Sequence, residues 1–386
     1  MFKYIFKGIP FLLLLIPNLV LAEKLTILHI NDHHSHLEAN SRMGLDLDGE
    51  STRTKSGGFP AVVTKIKELR SENPNSLTLH AGDATNGTLY FTLFEGEADA
   101  ALMNVVCFDA FVVGNHEFNN GDQGLVTFLD YLNEGNCQTP VLGANVQPEV
   151  GISPLAKSSR DDYIQPYTIV ERNGEKIGII GIVISRKTKM SSNPDDNTMF
   201  LDEVSTAQKY TDELNSQGVD RVILLSHFGY ENDLALAQKT SGIDIIVGGD
   251  SHSLLGDLSD LGLKPSGSYP TMVNDASGNE VCVVTAWEYS QIVGELHAEF
   301  DGQGNITSCM GTPHMMLADS FKRKNADGER VEIEEGYRDA VYSVIKVNPS
   351  LSIVEPDADA QALLAGYSSK IDEFSSKIIG SVSEDL

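Results

Sequence analysis

Five short apolar runs in this chain each stop at residues of the kind that hold metals or phosphate. Residues 25–30 run into Asn31-Asp-His-His34, 76–80 into Ala81-Gly-Asp83, 110–113 into Gly114-Asn-His-Glu117, 221–226 into His227, and 243–247 into Gly248-Gly-Asp-Ser-His252. Open α/β sheets place their chemistry this way, because ligands bind in the crevice outside the carboxyl ends of the strands. Any one of these ends has a plain structural alternative: Asp83 or Asp250 can cap a helix or make a turn, and Gly114 with Asn115 can simply reverse the chain. Five such ends in one chain argue against coincidence and constrain the fold to sheets whose strand tips meet.

The segments between the runs have suitable periods. Apolar residues at helical spacing predict helices over 61–70, 95–106, 124–132, 203–217 and 233–239. Asn173-Gly174 joins strands over 167–170 and 176–184 as a hairpin. Residues 281–286, 291–300 and 305–309 read as an antiparallel group, and the polar stretch 40–56 reads as a loop. Strands alternating with helices, then strand pairs, predict an α/β fold: a sandwich of two sheets between helices. Cys107, Cys137, Cys282 and Cys309 include no Cys-x-x-Cys pair, which argues against a cysteine metal site. Cys282 and Cys309 either pair across adjacent strands or stay as buried thiols.

Residues 1–22 carry Lys3 and Lys7, an apolar stretch over 9–20 and a small-residue end at Val20-Leu-Ala22. That reads as a cleaved signal peptide, its apolar stretch being shorter than the ~20 residues of a membrane span. The expected product is exported, with no stable membrane association. A formal net charge of −27 argues against nucleic acid as a partner, since binding it needs a basic face. Anionic small molecules remain open where metal ions supply local positive charge. Beyond Asn348 come Pro349 and Pro356, a polar helix-compatible stretch over 358–378 and a strand-like start over 378–383, which together read as a linker entering a further domain.

Collected at the strand ends are Asp32, His34, Asp83, Asn115, His116, His227, Asp250 and His252. Carboxylate and imidazole donors brought to one edge from separate strands suit a dinuclear centre of divalent cations. Asp83 has two oxygens with which to bridge, and Asn115 offers a neutral carbonyl oxygen. None of the aromatics near the strand ends, Phe118, Tyr230, Trp287 and Tyr289, can be given a substrate-stacking role from sequence, so the substrate-binding residues stay unknown.

In order and spacing these motifs resemble the calcineurin-like metallophosphoesterases, and within them the exported bacterial 5′-nucleotidases. The stretch 80–94 looks closest to the NAD-handling nucleotidases. The resemblance covers roughly 25–300. It implies a four-layer α/β/β/α sandwich with two mixed sheets over 23–345, and over 346–386 a linker helix and the first strand of an incomplete C-terminal nucleotidase domain. It implies two divalent metal ions (Zn, Mn or Co), one on Asp32, His34, Asp83 and His252 and the other on Asp83, Asn115, His227 and Asp250, with His116 as the catalytic histidine. A register slip of two would instead give His252 to the second metal. Two positions depart from the family pattern. Asp250 stands where relatives have histidine, which adds negative charge to the site. Asn119 stands where an aspartate commonly pairs with the catalytic histidine; its amide is expected to accept the imidazole N–H, giving a weakened pair. The implied activity is a periplasmic phosphohydrolase acting on nucleoside 5′-monophosphates as small-molecule partners, with NAD or other nucleotide pyrophosphates as a second substrate class. The alternatives are a cyclic-nucleotide phosphodiesterase, a sulfur-ester hydrolase, an impaired fragment of a longer enzyme, or a non-catalytic surface protein.

Overall fold

A computed structural model describes residues 23–377. The signal peptide read over 1–22 and the strand read over 378–383 lie outside the described residues. In chain order come β1 (Glu23–Ile30), β2 (Asn40–Leu47), β3 (Glu50–Ser56), α1 (Phe59–Glu72), β4 (Leu77–His80), α2 (Leu89–Phe94), α3 (Glu97–Val106), β5 (Ala110–Val112), α4 (Gly121–Asn133), β6 (Val141–Leu142) and β7 (Val146–Pro148). Next are β8 (Tyr167–Arg172), β9 (Glu175–Val183), α5 (Ser185–Ser191), β10 (Thr198–Phe200), α6 (Glu203–Ser216), β11 (Arg221–His227), α7 (Tyr230–Ala237), β12 (Ile245–Gly248), β13 (Thr271–Asn274) and β14 (Glu280–Thr285). The chain closes with β15 (Ile292–Phe300), the long β16 (Ile306–Lys324), β17 (Arg330–Glu332), α8 (Glu335–Val347), β18 (Leu351–Ile353) and α9 (Ala358–Ser375).

One sheet has the order β2-β3-β16-β15-β1-β4-β5-β6 and the other β13-β14-β12-β11-β9-β8. Both are mixed: β1, β4, β5 and β6 pair in parallel, as do β9, β11, β12 and β14, while the remaining strands of these two orders pair antiparallel. The alternation of strand side chains builds the layers. Leu25, Ile27, Leu79 and Val112 meet Ile179, Leu225 and Val247 between the sheets. Leu28, Ile30, Phe111 and Val113 face the other way, against Val62, Ile66, Met103 and Leu129 of the helices. Leu224 and Ile246 pack on Tyr210, Leu214 and Leu236 beyond the second sheet. Helices cover both outer faces, the four-layer α/β/β/α sandwich that the sequence predicts. Each of these large aliphatic side chains contributes about 1.5–3 kcal/mol of burial.

Two expectations are corrected. Residues 40–56 form a hairpin, not a loop: Met43, Leu45 and Leu47 are buried at every second position. Its turn is Asp48-Gly49, both at positive φ, a sequence signal hidden by the polar residues around it. The strands after 280 do not form one antiparallel group. β14 lies parallel to β12 in the second sheet, whereas β15 and β16 return to the first. Cys282 and Cys309 therefore form a disulfide between the two sheets, with Cα atoms 6.4 Å apart, and Cys107 pairs with Cys137 at 5.3 Å. Among the described residues β18 joins β16, and α9 buries Ala360 and Leu364 in the core on the α1 side.

Candidate metal centre

The parallel strands β1, β4, β5, β11 and β12 deliver their C-terminal loops to one edge of the sandwich. Asp32, His34, Asp83, Asp250 and His252 all adopt positive φ, between 48° and 75°. Non-glycine residues rarely do so, and such strain persists only where surrounding structure holds it. Here backbone bonds hold it: Asp32 N–H reaches Gly82 O at 2.9 Å and His34 N–H reaches Asp83 O at 3.1 Å. Glycine is required where loops touch. A Cβ on Gly114 would collide with the Asp83 side chain, and one on Gly249 with Asp32 and His227.

The structure brings the donors together in two groups. Asp32 Oδ1 lies 3.6 Å from His34 Nε2 and 3.3 Å from His252 Nε2, and those two ring nitrogens are 3.0 Å apart. Asp83 Oδ2 lies 3.6 Å from His34 Nε2 and 3.0 Å from His227 Nε2, and Asp250 Oδ1 is 3.7 Å from His227 Nε2. Asp83 thus stands between the groups, with His252 beside Asp32 and Asp250 beside His227.

The donor set fits cations. His227 Nδ1–H donates to Ala81 O at 2.7 Å, so in the neutral ring Nε2 turns a lone pair toward the Asp83 carboxylate. That nitrogen has no hydrogen bond despite the 3.0 Å approach. His252 repeats the pattern, with Nδ1 held by Glu288 Oε2 at 2.5 Å. A carboxylate on the far nitrogen orients an imidazole and raises its basicity as a ligand. Asn115 is fully buried and neither atom of its amide has a partner. Lone pairs facing lone pairs and an orphaned buried amide cost stability unless positive charge enters. Electrostatics agree. Burial works to strip protons from His34, His227 and His252, yet the carboxylates hold all three above the ordinary histidine value, His252 at about 10. Burial raises Asp83, and His227 with His34 more than offsets it, leaving it at about 2. The cluster demands positive charge, and a cation can replace those protons.

His116 lies on a short 3-10 turn after β5 and lines a cavity of about 490 Å³ with His34, Asp83, Asn86, Lys187 and Asp250. Its backbone N–H donates to Asp83 Oδ1 at 2.8 Å. Burial, with Asp83 opposing, lowers its pKa and favours the neutral ring. Asn119 does reach it, with Nδ2 at 3.0 Å from Nδ1, but a second amide, Asn86 Nδ2, is 3.1 Å from the same nitrogen. Nδ1 has one in-plane lone pair for these two amides, and Asn119 Oδ1 is buried without a partner. Tyr289 borders the cavity with its ring 4.1 Å from that of His36, while Phe118 is buried against Phe200.

Other partners were not legible as site residues. Glu117 is buried, and its carboxylate accepts N–H groups of Asp83, Ala84, Thr85 and Gly114 at 3.0, 2.8, 3.1 and 2.6 Å. It clamps the Asp83 loop to the Asn115 loop. Burial and the nearby Asp83 push it up to about 7, against those donors. Lys187 Nζ meets Asp250 Oδ1 at 2.5 Å. Below the loops a one-way chain fixes two tautomers: Gly82 N–H donates to His80 Nδ1, His80 Nε2–H to His33 Nδ1, and His33 Nε2–H to Asp99. Glu117 and Asn31, whose Nδ2 donates to Asp32 Oδ2 at 2.7 Å, adjoin motifs visible in the sequence, and Asn86 lies within the stretch 80–94; Lys187 and Glu288 carry no such signal.

Comparison with known proteins places this site in context. Residues 25–254 match the family described as Calcineurin-like phosphoesterase. The chain is 43% identical over 360 residues to a probable 5′-nucleotidase of Treponema pallidum, covering 92% of this chain and 59% of that protein. It is 40% identical over 362 residues to the NAD 5′-nucleotidase of Haemophilus influenzae, covering 93% of this chain and 58% of that one. The solved structure of Haemophilus influenzae NAD nucleotidase superposes with a TM-score of 0.87 at 41% identity, over 93% of this chain and 69% of that chain. The chain thus spans less than two thirds of the length of the curated relatives it matches.

Proposed function

Because the chain belongs to the calcineurin-like phosphoesterase family, we propose that it is an exported phosphohydrolase releasing phosphate from nucleoside 5′-monophosphates at a centre of two divalent cations, with NAD or other nucleotide pyrophosphates as further substrates. The observation that carries this reading is the donor set with its facing lone pairs and the orphaned Asn115 amide. Asp32, His34, Asp83 and His252 would hold one cation, and Asp83, Asn115, His227 and Asp250 the other. Two such ions (Zn, Mn or Co) supply positive charge to the phosphoryl oxygens and acidify the attacking water.

The chain's own residues do the rest. Glu117 keeps the Asp83 and Asn115 loops in register, and Glu288 holds the His252 ring. His116 would hydrogen-bond a phosphoryl or departing oxygen through Nε2 and, in its imidazolium form, give up the proton there, a general-acid role. Export is supported by the two disulfides, which persist in oxidising compartments, and by the sequence of 1–22; the periplasm is the compartment proposed. Among the described residues no helix is long and apolar enough to cross a membrane. The reading keeps a catalytic domain over 23–345 and a linker over 346–386, whose β18 and α9 pack against that domain.

The first test is chelation and reconstitution. Phosphate release from AMP and from NAD is expected to vanish with a chelator and to return by about 10²-fold or more with Mn²⁺, Zn²⁺ or Co²⁺. Opening of a cyclic nucleotide to its monophosphate, with AMP left intact, would move the reading to a phosphodiesterase; turnover untouched by chelation would end it. A second test exploits Asn119. An aspartate there favours the imidazolium and raises the His116 pKa by about one unit or more. A proton donor then stays charged to higher pH, so the alkaline limb of the kcat profile for AMP should move up in Asn119→Asp. An unmoved limb would show that position 119 does not tune His116.

A further inference from the structure

Among the described residues, Lys187 is the only lysine or arginine lining the cavity beside His116. It projects from α5, whose approach is fixed beside the site because Ile184 N–H donates to His227 O at 2.8 Å. Its ammonium sits 2.5 Å from Asp250 Oδ1, the oxygen that also lies 3.7 Å from His227 Nε2. That oxygen therefore has two claimants: the lysine, and any cation seated beside His227. The Lys187 side chain is 39% exposed, so it can leave without unpacking the core, whereas Asp250 is 10% exposed and fixed. Its four-carbon stem carries a rotatable point charge suited to phosphate.

We propose that Lys187 is a transferable cation: it neutralises Asp250 while the seat beside His227 holds no metal, and when a metal takes that oxygen it moves to a phosphate oxygen of the substrate. The inference rests on the phosphohydrolase reading above and adds a phosphate-binding residue to it. Asp250 brings negative charge to the centre, and Lys187 compensates for it in one state and binds substrate in the other. Competition for a single oxygen is a coupling between two bound cations, so it works in both directions.

The test is Lys187→Met and Lys187→Arg in the full chain, with Mn²⁺ alone titrated calorimetrically into metal-free protein and AMP kinetics measured on the Mn²⁺ form. In Lys187→Met the weaker Mn²⁺ site should tighten about fivefold, the worth of a partly exposed ion pair, since its competitor is gone. The same variant should show a KM for AMP raised about tenfold with kcat changed less, the loss of a hydrogen bond to a charged group. Lys187→Arg should restore KM to within about threefold of the parent, as a charge-assisted contact remains. A lysine that only stiffens the loop would loosen both metal and substrate together. Unchanged or weakened Mn²⁺ binding, or an unchanged KM, in Lys187→Met overturns the proposal. If the parent chain takes up no Mn²⁺, the metal reading itself fails, and that result appears before any variant is made.

Discussion

His116→Ala should lower kcat for AMP by about 10³-fold while the affinity for Mn²⁺ stays within about threefold of the parent, because a positioned proton donor is worth 10²–10⁴ in rate. The imidazole is held for this task at three points. Its backbone N–H is fixed on Asp83 Oδ1, and the Asn86 and Asn119 amides both meet Nδ1. Burial keeps the ring from being permanently charged. Geometry offers a competing role, since one ring nitrogen of His116 lies within 4.8 Å of donor atoms of both His34 and Asp83, close enough for a shared cation. The experiment separates the two. A proton donor shows its loss in kcat with metal retained, whereas a ligand shows it first in the Mn²⁺ titration. Tenfold or greater weakening of Mn²⁺ binding in His116→Ala would reassign this residue to the metal, and a kcat within threefold of the parent would remove it from the chemistry.

The strand ends were legible because burial and chemistry leave separate marks on a sequence. β4, β5, β11 and β12 are buried along their whole length and β1 from Ile27 onward, and their middles are mostly Ile, Leu and Val, as in central parallel strands buried on both faces, so an Asp, Asn or His at the end stands out. The β2–β3 hairpin was illegible for the opposite reason. It is an edge with one polar face, and Met43, Leu45 and Leu47 are diluted by Arg42, Asp46 and Asp48. The move of the chain from β14 to β15 between sheets left no trace either, since both strands are apolar and the switch is a matter of tertiary pairing. The partners of the centre divide in the same way. Glu288 and Lys187 come from a loop and a short helix far away in sequence, and only the fold brings them to His252 and Asp250. Local pattern encodes which residues end a strand; it does not encode which distant side chain meets them.

Glu117 is the residue whose loss should cost the fold most. Glu117→Ala leaves the buried N–H groups of Asp83, Ala84, Thr85 and Gly114 without an acceptor, along with the Thr85 hydroxyl at 3.2 Å. An unsatisfied buried donor costs about 1–3 kcal/mol, so even with water recovering part of this the loss should reach about 5 kcal/mol, comparable to the whole stability of many domains. Glu117→Gln keeps one carbonyl oxygen but turns an NH₂ toward the remaining donors, and about 2–3 kcal/mol is expected. Urea unfolding of the metal-free protein reads both values, and should the alanine variant not fold, the glutamine variant alone carries the test. The same clamp positions two of the proposed ligands, Asp83 and Asn115, by tying together the loops that carry them. Glu117→Gln should accordingly weaken the Mn²⁺ site that includes Asn115 more than the site that includes Asp32. A glutamine variant destabilised by less than about 0.5 kcal/mol, the range of ordinary surface substitutions, would mean that the loops hold their shape without the clamp. Equal weakening of both metal sites would mean that Glu117 acts on the centre through charge and not through the Asn115 loop.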